Sequence, residues 1–559
     1  MALLWVVLCC TFCSVLGRRI ISVTYDDSNK AFSVHEGSAD NAVAVASFEN
    51  AVNKTGWSYL EVHTSDKISD EAQAYAAGLA EGVISREMIA MHWHNTYLGY
   101  CKKPLTGFCK KLQRYFDDNL QWVSEQIRQH ADSDPYWHQI QLFLDQMSGL
   151  VDGFHNKHGK RDLSKYQIDV TDISFMQVGG DVEDLAQALD GADHHRNHQS
   201  IHGNKRVVGS GHCSSLIKLL AGNKDLYVAQ DTWTGYNGML RVLKKYDFGY
   251  HVLPAKGSSL IPGRVSTFSS FPGGLMSGDD FYTISTGLVT IETTIGNSNA
   301  TLWSHIKTHD SVLEGLRNMV ANRLATSGKD WCDTFSKFNS GTYNNEWMVV
   351  DYTKFKAGKK LGSGVLWVLD QIPGMIVARD LTSLLVKQGY FPSYNSPHFP
   401  EVYNASGWRE SEKKFGDWFN YDLTPRARIF RRDQVKVKDV DSMTRLMRYN
   451  DFTHDPLSRC NCTPPYSGEN AISARCDLNP ASGKYPFGAL GHRNHGGVDM
   501  KLTTSGLVTS LEFIAIGGPT YDNLPPFQWT KSDFKDVPHV GQPDLWKFSP
   551  IIHKWKRRI

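Results

Sequence analysis

The chain has 559 residues, of which 41% are hydrophobic and 21% are charged, a balance typical of a globular protein. Its formal net charge of +2 at pH 7 gives no reason to expect a nucleic-acid partner. No Pro/Ser/Gly-rich linker and no repeat of fixed period divides the sequence.

An apolar segment opens the chain. Residues 1–17 carry no charged side chain, and Arg18 and Arg19 follow at once. This apolar run is too short to span a bilayer comfortably, and Val15 and Gly17 are small enough for a signal-peptidase site. We expect a signal peptide at 1–17, with a membrane anchor as the alternative, and no transmembrane segment in the product.

Four N-x-S/T sequons agree with passage through the secretory pathway. They begin at Asn53, Asn299, Asn404 and Asn461. One sequon is common by chance, but four behind a signal peptide indicate a glycoprotein whose sites lie on the surface.

The region from Arg18 to about residue 175 begins with strand-like alternation and then becomes helical. Residues 70–84 are rich in alanine and follow Ser69, a good N-cap, so they predict a helix. Farther on, apolar residues at helical spacing predict one core-facing helix side. They are Leu112, Phe116, Leu120, Val123 and Ile127.

Cysteine usage leaves at least one thiol unpaired. Cys9, Cys10 and Cys13 leave with the signal peptide, and seven cysteines remain. These are Cys101, Cys109, Cys213, Cys332, Cys460, Cys462 and Cys476. The first two flank a short loop and form a plausible disulfide, and the last three supply a second whose pairing the sequence leaves open. Because this last cluster lacks a fourth ligand at a suitable spacing, we expect no zinc site there. We also expect no cofactor.

A polar, histidine-rich stretch fills residues 193–212, with five histidines from His194 to His212. No carboxylate or cysteine lies in this stretch at a spacing typical of metal ligands. We therefore favour an exposed, protease-sensitive loop over a metal site. Protonation of these histidines near pH 5–6 would make the loop acid-responsive.

Cys213 stands where that stretch meets an apolar run. Residues 215–220, a turn at 222–225 and a second run at 226–229 predict a hairpin that begins at Cys213. A cut before this residue would give it a free α-amine that can act as a base, so Cys213 is a candidate nucleophile. The alternative is a buried free cysteine. Further strands, such as 287–295, favour a layered α and β architecture.

Other hydrolase signatures are missing from the sequence. It contains no G-x-S-x-G elbow, no H-E-x-x-H and no P-loop. A papain-like enzyme would need a distant histidine, and the residues that could supply it are His398, His454, His492 and His495. Nothing near these histidines supports one of them over the others.

Several segments together resemble the phospholipase B-like, or lamina ancestor, family. They are 211–218 (GHCSSLIK), Trp233, 239–241 (MLR), 292–297 (ETTIGN), 338–345 (FNSGTYNN), 393–395 (SYN), 429–432 (IFRR) and 525–529 (PPFQW). The resemblance runs from near Thr55 to the C-terminus and is nearest the phospholipase B-like 2 branch, through 292–297 and 541–548.

This resemblance implies an N-terminal nucleophile hydrolase, an α+β protein built as a four-layer αββα sandwich. Such precursors cut themselves, here between His212 and Cys213, and the chains 18–212 and 213–559 stay associated in one core. The family is lysosomal or secreted and glycosylated. It is assigned phospholipase activity, which implies fatty-acid release from phospholipids through a Cys213 acyl-enzyme.

The resemblance also nominates site residues. Thr294 and Asn395 would form the oxyanion hole, Trp233 would line the site, and Arg431 would orient the substrate or the amine. Each residue also has a simpler interpretation. Trp233 would pack in the core, Thr294 would be an ordinary strand residue, and Asn395 would be a turn residue. For Arg431, the neighbouring Arg432 is an equally placed candidate.

One departure from the family pattern bears on function. The family usually has a histidine three residues before the tryptophan, whereas this chain has Gln230 before Trp233. Gln230 cannot carry a proton, and Asp231 adds a carboxylate. Three functions remain open: a lipid acyl hydrolase, an amidase or peptidase of the same mechanism, and a non-catalytic glycoprotein.

Overall fold

The computed structural model describes residues 17–159, 166–190 and 212–556. Nearly all of the expected signal peptide and all of the histidine-rich stretch before His212 lie outside these residues. Within them the chain is α+β, as predicted, with large sheets and many helices. No helix in the described ranges combines the length and apolarity needed to cross a membrane.

The helices of the described ranges fall in two groups, before and after the histidine-rich stretch. The first are α1 (Val52–Thr55), α2 (Asp70–Ile84), α3 (Arg86–Thr96), α4 (Gly107–His130), α5 (Pro135–Phe154) and α6 (Gly179–Asp190). The second are α7 (Glu314–Leu324), α8 (Gly328–Phe335), α9 (Thr382–Gln388), α10 (Pro400–Ala405), α11 (Trp408–Phe415), α12 (Pro425–Asp433), α13 (Val440–Met447) and α14 (Ser505–Val508).

The strands divide in the same way. Those before the stretch are β1 (Arg19–Asp26), β2 (Ala31–Glu36), β3 (Ala44–Glu49) and β4 (Ser58–Thr64). The next are β5 (Cys213–Leu219), β6 (Leu226–Thr234), β7 (Val242–Asp247), β8 (Val265–Ser270), β9 (Phe281–Ile284), β10 (Leu288–Thr294), β11 (Asn345–Asp351), β12 (Leu366–Ile372) and β13 (Met375–Asp380). The last are β14 (Tyr390–Ser393), β15 (Gly496–Thr503), β16 (Ile514–Gly517), β17 (Phe527–Gln528), β18 (Leu545–Trp546) and β19 (Ile551–Ile552).

Two sheets dominate the described structure. An eleven-stranded sheet has the order β13-β12-β11-β10-β9-β8-β7-β4-β3-β1-β2, and a six-stranded sheet has the order β14-β5-β6-β15-β16-β19. β4 and β7 pair in parallel, so residues from both sides of the histidine-rich stretch share the larger sheet. β5, which starts at Cys213, lies inside the smaller sheet between β14 and β6.

Apolar residues of both sheets meet in one buried cluster. Ile217 and Val228 of the smaller sheet pack there with Val289 and Met348 of the larger sheet. On its other side, the larger sheet contacts α2, which packs closely on α5. The smaller sheet shares a separate apolar cluster with α12 and α13.

Several predicted elements are confirmed. The helix predicted at 70–84 is α2, the apolar side predicted for 112–127 is buried in α4, and the hairpin predicted from Cys213 is β5–β6. The strand predicted at 287–295 is β10, in which the polar residues Thr290 and Glu292 are as fully buried as the apolar ones. Both faces are buried because one packs on the smaller sheet through Val289 and Ile291, and the other meets α7, where Thr290 donates to Asn322 at 3.2 Å.

The disulfides follow the predicted clusters. In the structure Cys101 pairs with Cys109, and Cys460 pairs with Cys462. Cys476 therefore stays a free thiol. Cys213, Cys332 and Cys476 are all buried thiols.

Candidate active site

Cys213 lines a cavity of about 520 Å³. It is the first residue of β5, and the carbonyl of the preceding His212 accepts a hydrogen bond from the Trp233 backbone N–H. Trp233, Thr294 and Asn395 line the same cavity. The structure thus brings together four of the predicted site residues and the predicted cleavage bond.

Strand register explains why these residues meet. Cys213 lies opposite Thr232 on one side, and on the other side β14 runs antiparallel with Ser393 opposite Ser215. Asn395 follows two residues later in a left-handed conformation, with φ of 66°. Its side-chain Nδ2 donates to the Thr294 carbonyl at 2.7 Å, which ties both predicted oxyanion-hole residues together.

Arg426, and not Arg431, reaches the nucleophile. The buried Arg426 lines the cavity, donates from Nη1 to the Cys213 carbonyl at 2.7 Å, and stacks 4.3 Å from the Trp233 ring centre. Arg431 is not among the lining residues; its side chain is 53% exposed and pairs with Asp422. Five residues along a helix turn the side chain by about 140°. The position expected of Arg431 is therefore occupied by Arg426.

Burial keeps the Cys213 thiol neutral. The pKa of the thiol is raised well above its usual value, first by burial and then by the negative charges of Glu292 and Asp279, while Lys501 acts in the opposite direction. A thiol in this state needs a base before it can attack a carbonyl. In the intact chain its own nitrogen is an amide and cannot serve as that base.

A buried ionic network fixes Thr232, the residue opposite Cys213. Thr232 donates to Asp279 Oδ2 at 2.8 Å and accepts from the Lys501 ammonium. Lys501 also donates to Asp279 at 3.0 Å and to Asp499 at 2.6 Å, and Arg241 pairs with both carboxylates. Because each charge has an opposite neighbour, this network can remain ionised although it is buried.

Gln230 and Asp231, the residues of the family departure, do not line the cavity. The fully buried Gln230 donates from Nε2 to the backbone carbonyls of Asp279 (2.7 Å), Asp280 (3.2 Å) and Glu292 (2.6 Å). Asp231 lies opposite Ser214, so its side chain is on the strand face opposite that of Cys213. The carboxylate expected beside the nucleophile therefore points elsewhere, and Gln230 has a structural role.

Of the histidines nominated for a papain-like pair, only His495 lines the cavity within the described residues. Behind it, donor atoms of Glu469, Cys476 and His495 lie within 4.8 Å of one another, a spacing that could hold a metal. However, Cys476 donates to Glu469 at 2.8 Å, and the Arg493 guanidinium donates to the same carboxylate at 3.0 Å. The Glu469 carboxylate is therefore already paired with the cationic Arg493 side chain.

The chain is similar to known proteins along nearly its whole length. Residues 44–553 match the family model described as Phospholipase B. The chain is 49% identical to phospholipase B-like 2 of Homo sapiens over 96% of its own length and 90% of the relative. It is 43% identical to phospholipase B-like 2 of Caenorhabditis elegans (93% and 86%) and 36% identical to phospholipase B-like protein B of Dictyostelium discoideum (93% and 87%).

The chain belongs to the phospholipase B-like family. The part of this phospholipase B-like protein that the family model matches contains the whole candidate site. The site residues inside it are Cys213, Trp233, Thr294, Asn395 and Arg426. The sequence did not single out Arg426, although Pro425 marked the first turn of its helix. His495 was named only as one of four histidines for a papain-like pair.

Proposed function

We propose that this protein is a self-processing cysteine hydrolase that releases fatty acids from phospholipids through an acyl-enzyme on Cys213. One observation carries the proposal: Cys213 starts a strand, follows the histidine-rich stretch directly, and lines a cavity with Trp233, Asn395 and Arg426. The names of the relatives add the class of reaction, a phospholipase.

The first step is the cut between His212 and Cys213. The Cys213 sulfur adds to the His212 carbonyl carbon, the C–N bond breaks, and the thiol proton ends on the departing nitrogen. Water then hydrolyses the thioester, which leaves a carboxylate on His212 and a free thiol and α-amine on Cys213. The hydrogen bond from Trp233 to the His212 carbonyl polarises the carbonyl that is attacked.

The freed α-amine makes turnover possible. Its reference pKa of about 8 lets it accept the thiol proton near neutrality, which the amide nitrogen of the intact chain cannot do. The thiolate attacks the acyl carbonyl, the amine returns the proton to the leaving alkoxide, and water releases the fatty acid from the thioester. The second N–H of the Asn395 amide and the Thr294 hydroxyl are the proposed oxyanion donors.

Arg426 takes the orienting role that the resemblance gave to Arg431. Its hydrogen bond to the Cys213 carbonyl and its stack on Trp233 hold the nucleophile's backbone against the aromatic ring. This contact does not depend on the α-amine, so it persists through cleavage.

The finer architecture and the location are part of the same proposal. Packing of the two sheets on each other, with α2 and α5 outside one and α12 and α13 outside the other, supports an αββα sandwich. The expected signal peptide and the sequons at Asn53, Asn299, Asn404 and Asn461 support a secreted or lysosomal glycoprotein.

An amidase of the same mechanism is the second candidate. The observation that favours it is the bond that the site would cut in its own chain, because the His212–Cys213 linkage is itself an amide. Esters and amides form the same tetrahedral intermediate and need the same donors.

The test compares the wild-type protein with Cys213→Ala, and with Cys332→Ala as a control that removes a buried thiol outside the cavity. N-terminal sequencing should find a chain that begins at Cys213 in the wild type and the control but not in Cys213→Ala. Fatty-acid release from phospholipid should follow the same pattern. A Cys213→Ala protein cut at the same bond would refute self-cleavage, and clean processing without turnover of esters or amides would favour a non-catalytic glycoprotein.

A further inference from the structure

Three polar residues interrupt the apolar face on which the two large sheets meet. Thr293 of β10, Glu346 of β11 and Asp370 of β12 stand opposite one another in the strand register, so they form one row across the larger sheet. Their neighbours on the same face, such as Ile291 and Met348, belong to the apolar cluster between the sheets. All three polar residues are fully buried. Because burying polar groups is costly unless they are hydrogen-bonded, the partners of this row show what it holds.

The row holds both ends of the segment between β14 and α10, which carries Asn395. At the start of the segment, the Ser393 hydroxyl hydrogen-bonds the Thr293 hydroxyl, which also accepts from the Asn395 backbone N–H at 3.4 Å. At its end, Asp370 Oδ2 accepts from the Phe399 backbone N–H at 2.9 Å. The position of Asn395, a proposed oxyanion donor, therefore depends on contacts with the larger sheet.

Glu346 lies in the row between Thr293 and Asp370. Both Glu346 oxygens and Asp370 Oδ1 are buried without a hydrogen bond of normal geometry among the described residues. Two carboxylates cannot hydrogen-bond each other, whereas a proton shared between them makes one of them a donor. Burial raises the pKa of both groups, the charge of Asp370 raises that of Glu346 further, and the Ser393 hydroxyl acts on Glu346 in the opposite direction. The pair therefore keeps at least one proton, and Glu346 lies beside the start of the segment.

A protonated pair explains how these acids can be buried here. No lysine, arginine or histidine side chain of the described residues pairs with either carboxyl group. A neutral, hydrogen-bonded pair costs far less to bury than an uncompensated charge. The shared proton binds Glu346 to Asp370 and leaves Asp370 Oδ2 free to accept from Phe399.

We propose that Glu346 and Asp370, joined by a shared proton, are positioning residues that hold Asn395 in the geometry required of an oxyanion donor. Neither acid is among the described residues that line the cavity, so the pair acts through Thr293 and through the two ends of the segment. This role rests on the proposed function, and it names the residues that set the rate of its chemical step.

Substitutions at Glu346 test the shared proton. Glu346→Gln replaces the protonated acid with an amide that can still donate to Asp370, and Glu346→Met keeps the length without hydrogen bonds. With a monomeric short-chain phosphatidylcholine as the probe, Glu346→Gln should keep kcat near the wild-type value. Glu346→Met should lower kcat by about 10²-fold with little change in KM, because a displaced donor weakens transition-state binding alone. Wild-type kcat in Glu346→Met, or equal losses in both variants, would overturn the proposal.

Two controls separate positioning from general destabilisation. Self-cleavage attacks a carbonyl held by Trp233 and not by Asn395, so its half-time should stay near wild type in Glu346→Met. Val350→Ala removes buried packing on the same face of β11 without touching the row, so it should lower the urea midpoint and leave kcat near wild type. If Val350→Ala lowers kcat as much as Glu346→Met does, or if cleavage slows together with hydrolysis, the positioning role is wrong.

A double-mutant cycle tests whether the pair acts through Asn395. Asn395→Gly keeps the left-handed backbone accessible and removes the side-chain donor, so kcat should fall by about 10²–10³-fold. Adding Glu346→Met should then cost little more, because the group that it positions is gone. A further loss of about 10²-fold in the double variant would show that Glu346 acts elsewhere and would refute the assignment.

Thr293→Val covers the case in which Glu346→Met does not fold. It keeps the side-chain shape and removes the hydroxyl that joins Ser393 to the Asn395 N–H, so kcat should fall while KM and self-cleavage stay near wild type. Wild-type kcat in a folded Thr293→Val protein would contradict the proposed route through the row. Failure of the proposed function looks different, since the wild type then releases no more fatty acid than Cys213→Ala.

Discussion

At the scale of single residues, two arginines on α12 provide a matched test of the site. Arg426→Ala removes the buried hydrogen bond to the Cys213 carbonyl and the stack on Trp233. Because small displacements of reacting groups cost about 10²-fold in rate, we expect hydrolysis to fall by about that factor and self-cleavage to slow. Arg431→Ala, at an exposed position, should leave both near wild type. Measured cleavage half-times and kcat/KM that respond equally to both variants would contradict the assignment.

Gln230 gives a second prediction at this scale. Gln230→Leu leaves three buried carbonyls without the donor they now share, at a cost of about 1–3 kcal/mol for an unsatisfied group. We expect the free energy of unfolding in urea to fall by about this amount. Gln121→Leu, at an exposed position on α4, is the control and should have little effect. An unchanged free energy of unfolding in Gln230→Leu would mean that Gln230 has no structural role.

At the scale of elements, local patterns predicted local structure well. The start of α2 after Ser69, the apolar side of α4 and the hairpin from Cys213 could all be predicted, because each depends on neighbours within a few residues. The Ser69 side chain itself makes no capping hydrogen bond. The parallel β4–β7 pair joins residues separated by the whole histidine-rich stretch, and nothing in either segment specifies that partner. For the same reason, Arg426 and His495 could not be assigned to the site before the fold was known.

That pairing predicts how the cleaved protein behaves. β4 and β7 share one sheet across the proposed cut. α2 lies against that sheet, and α5 packs on α2 and on α7, which follows Cys213. The disulfides of the described residues each close within one of the two chains. We therefore expect the chains 18–212 and 213–559 to co-elute in size-exclusion chromatography and to stay paired in native mass spectrometry, with or without reductant. Separation under native conditions would show that the cut dissolves the core.

At the scale of the whole molecule, buried carboxyl groups should make the fold more stable in acid. Burial raises the pKa of Asp370 to about 7, of Asp280 to about 8 and of Asp181 to about 6. These groups are protonated when folded at pH values where the unfolded chain has released its protons, so the stability they contribute is lost as pH rises through these values. Each such proton changes the free energy of unfolding by about 1.4 kcal/mol per pH unit.

Two histidines act in the opposite direction over a lower range. Burial lowers the pKa of His398 and His553 to about 4, so each costs stability as pH falls from about 6.5 towards that value. Between pH 8 and about 6.5 only the carboxyl groups act, and below it they still outnumber the histidines. We expect urea midpoints to rise from pH 8 to about pH 5.5. In Asp370→Asn the rise of the urea midpoint on acidification should be shallower, because the folded protein binds up to one proton fewer. In Asp333→Asn, which removes an exposed carboxylate on α8, the rise should be unchanged. A midpoint that is flat or falls on acidification would show that these carboxyl groups are ionised in the folded protein.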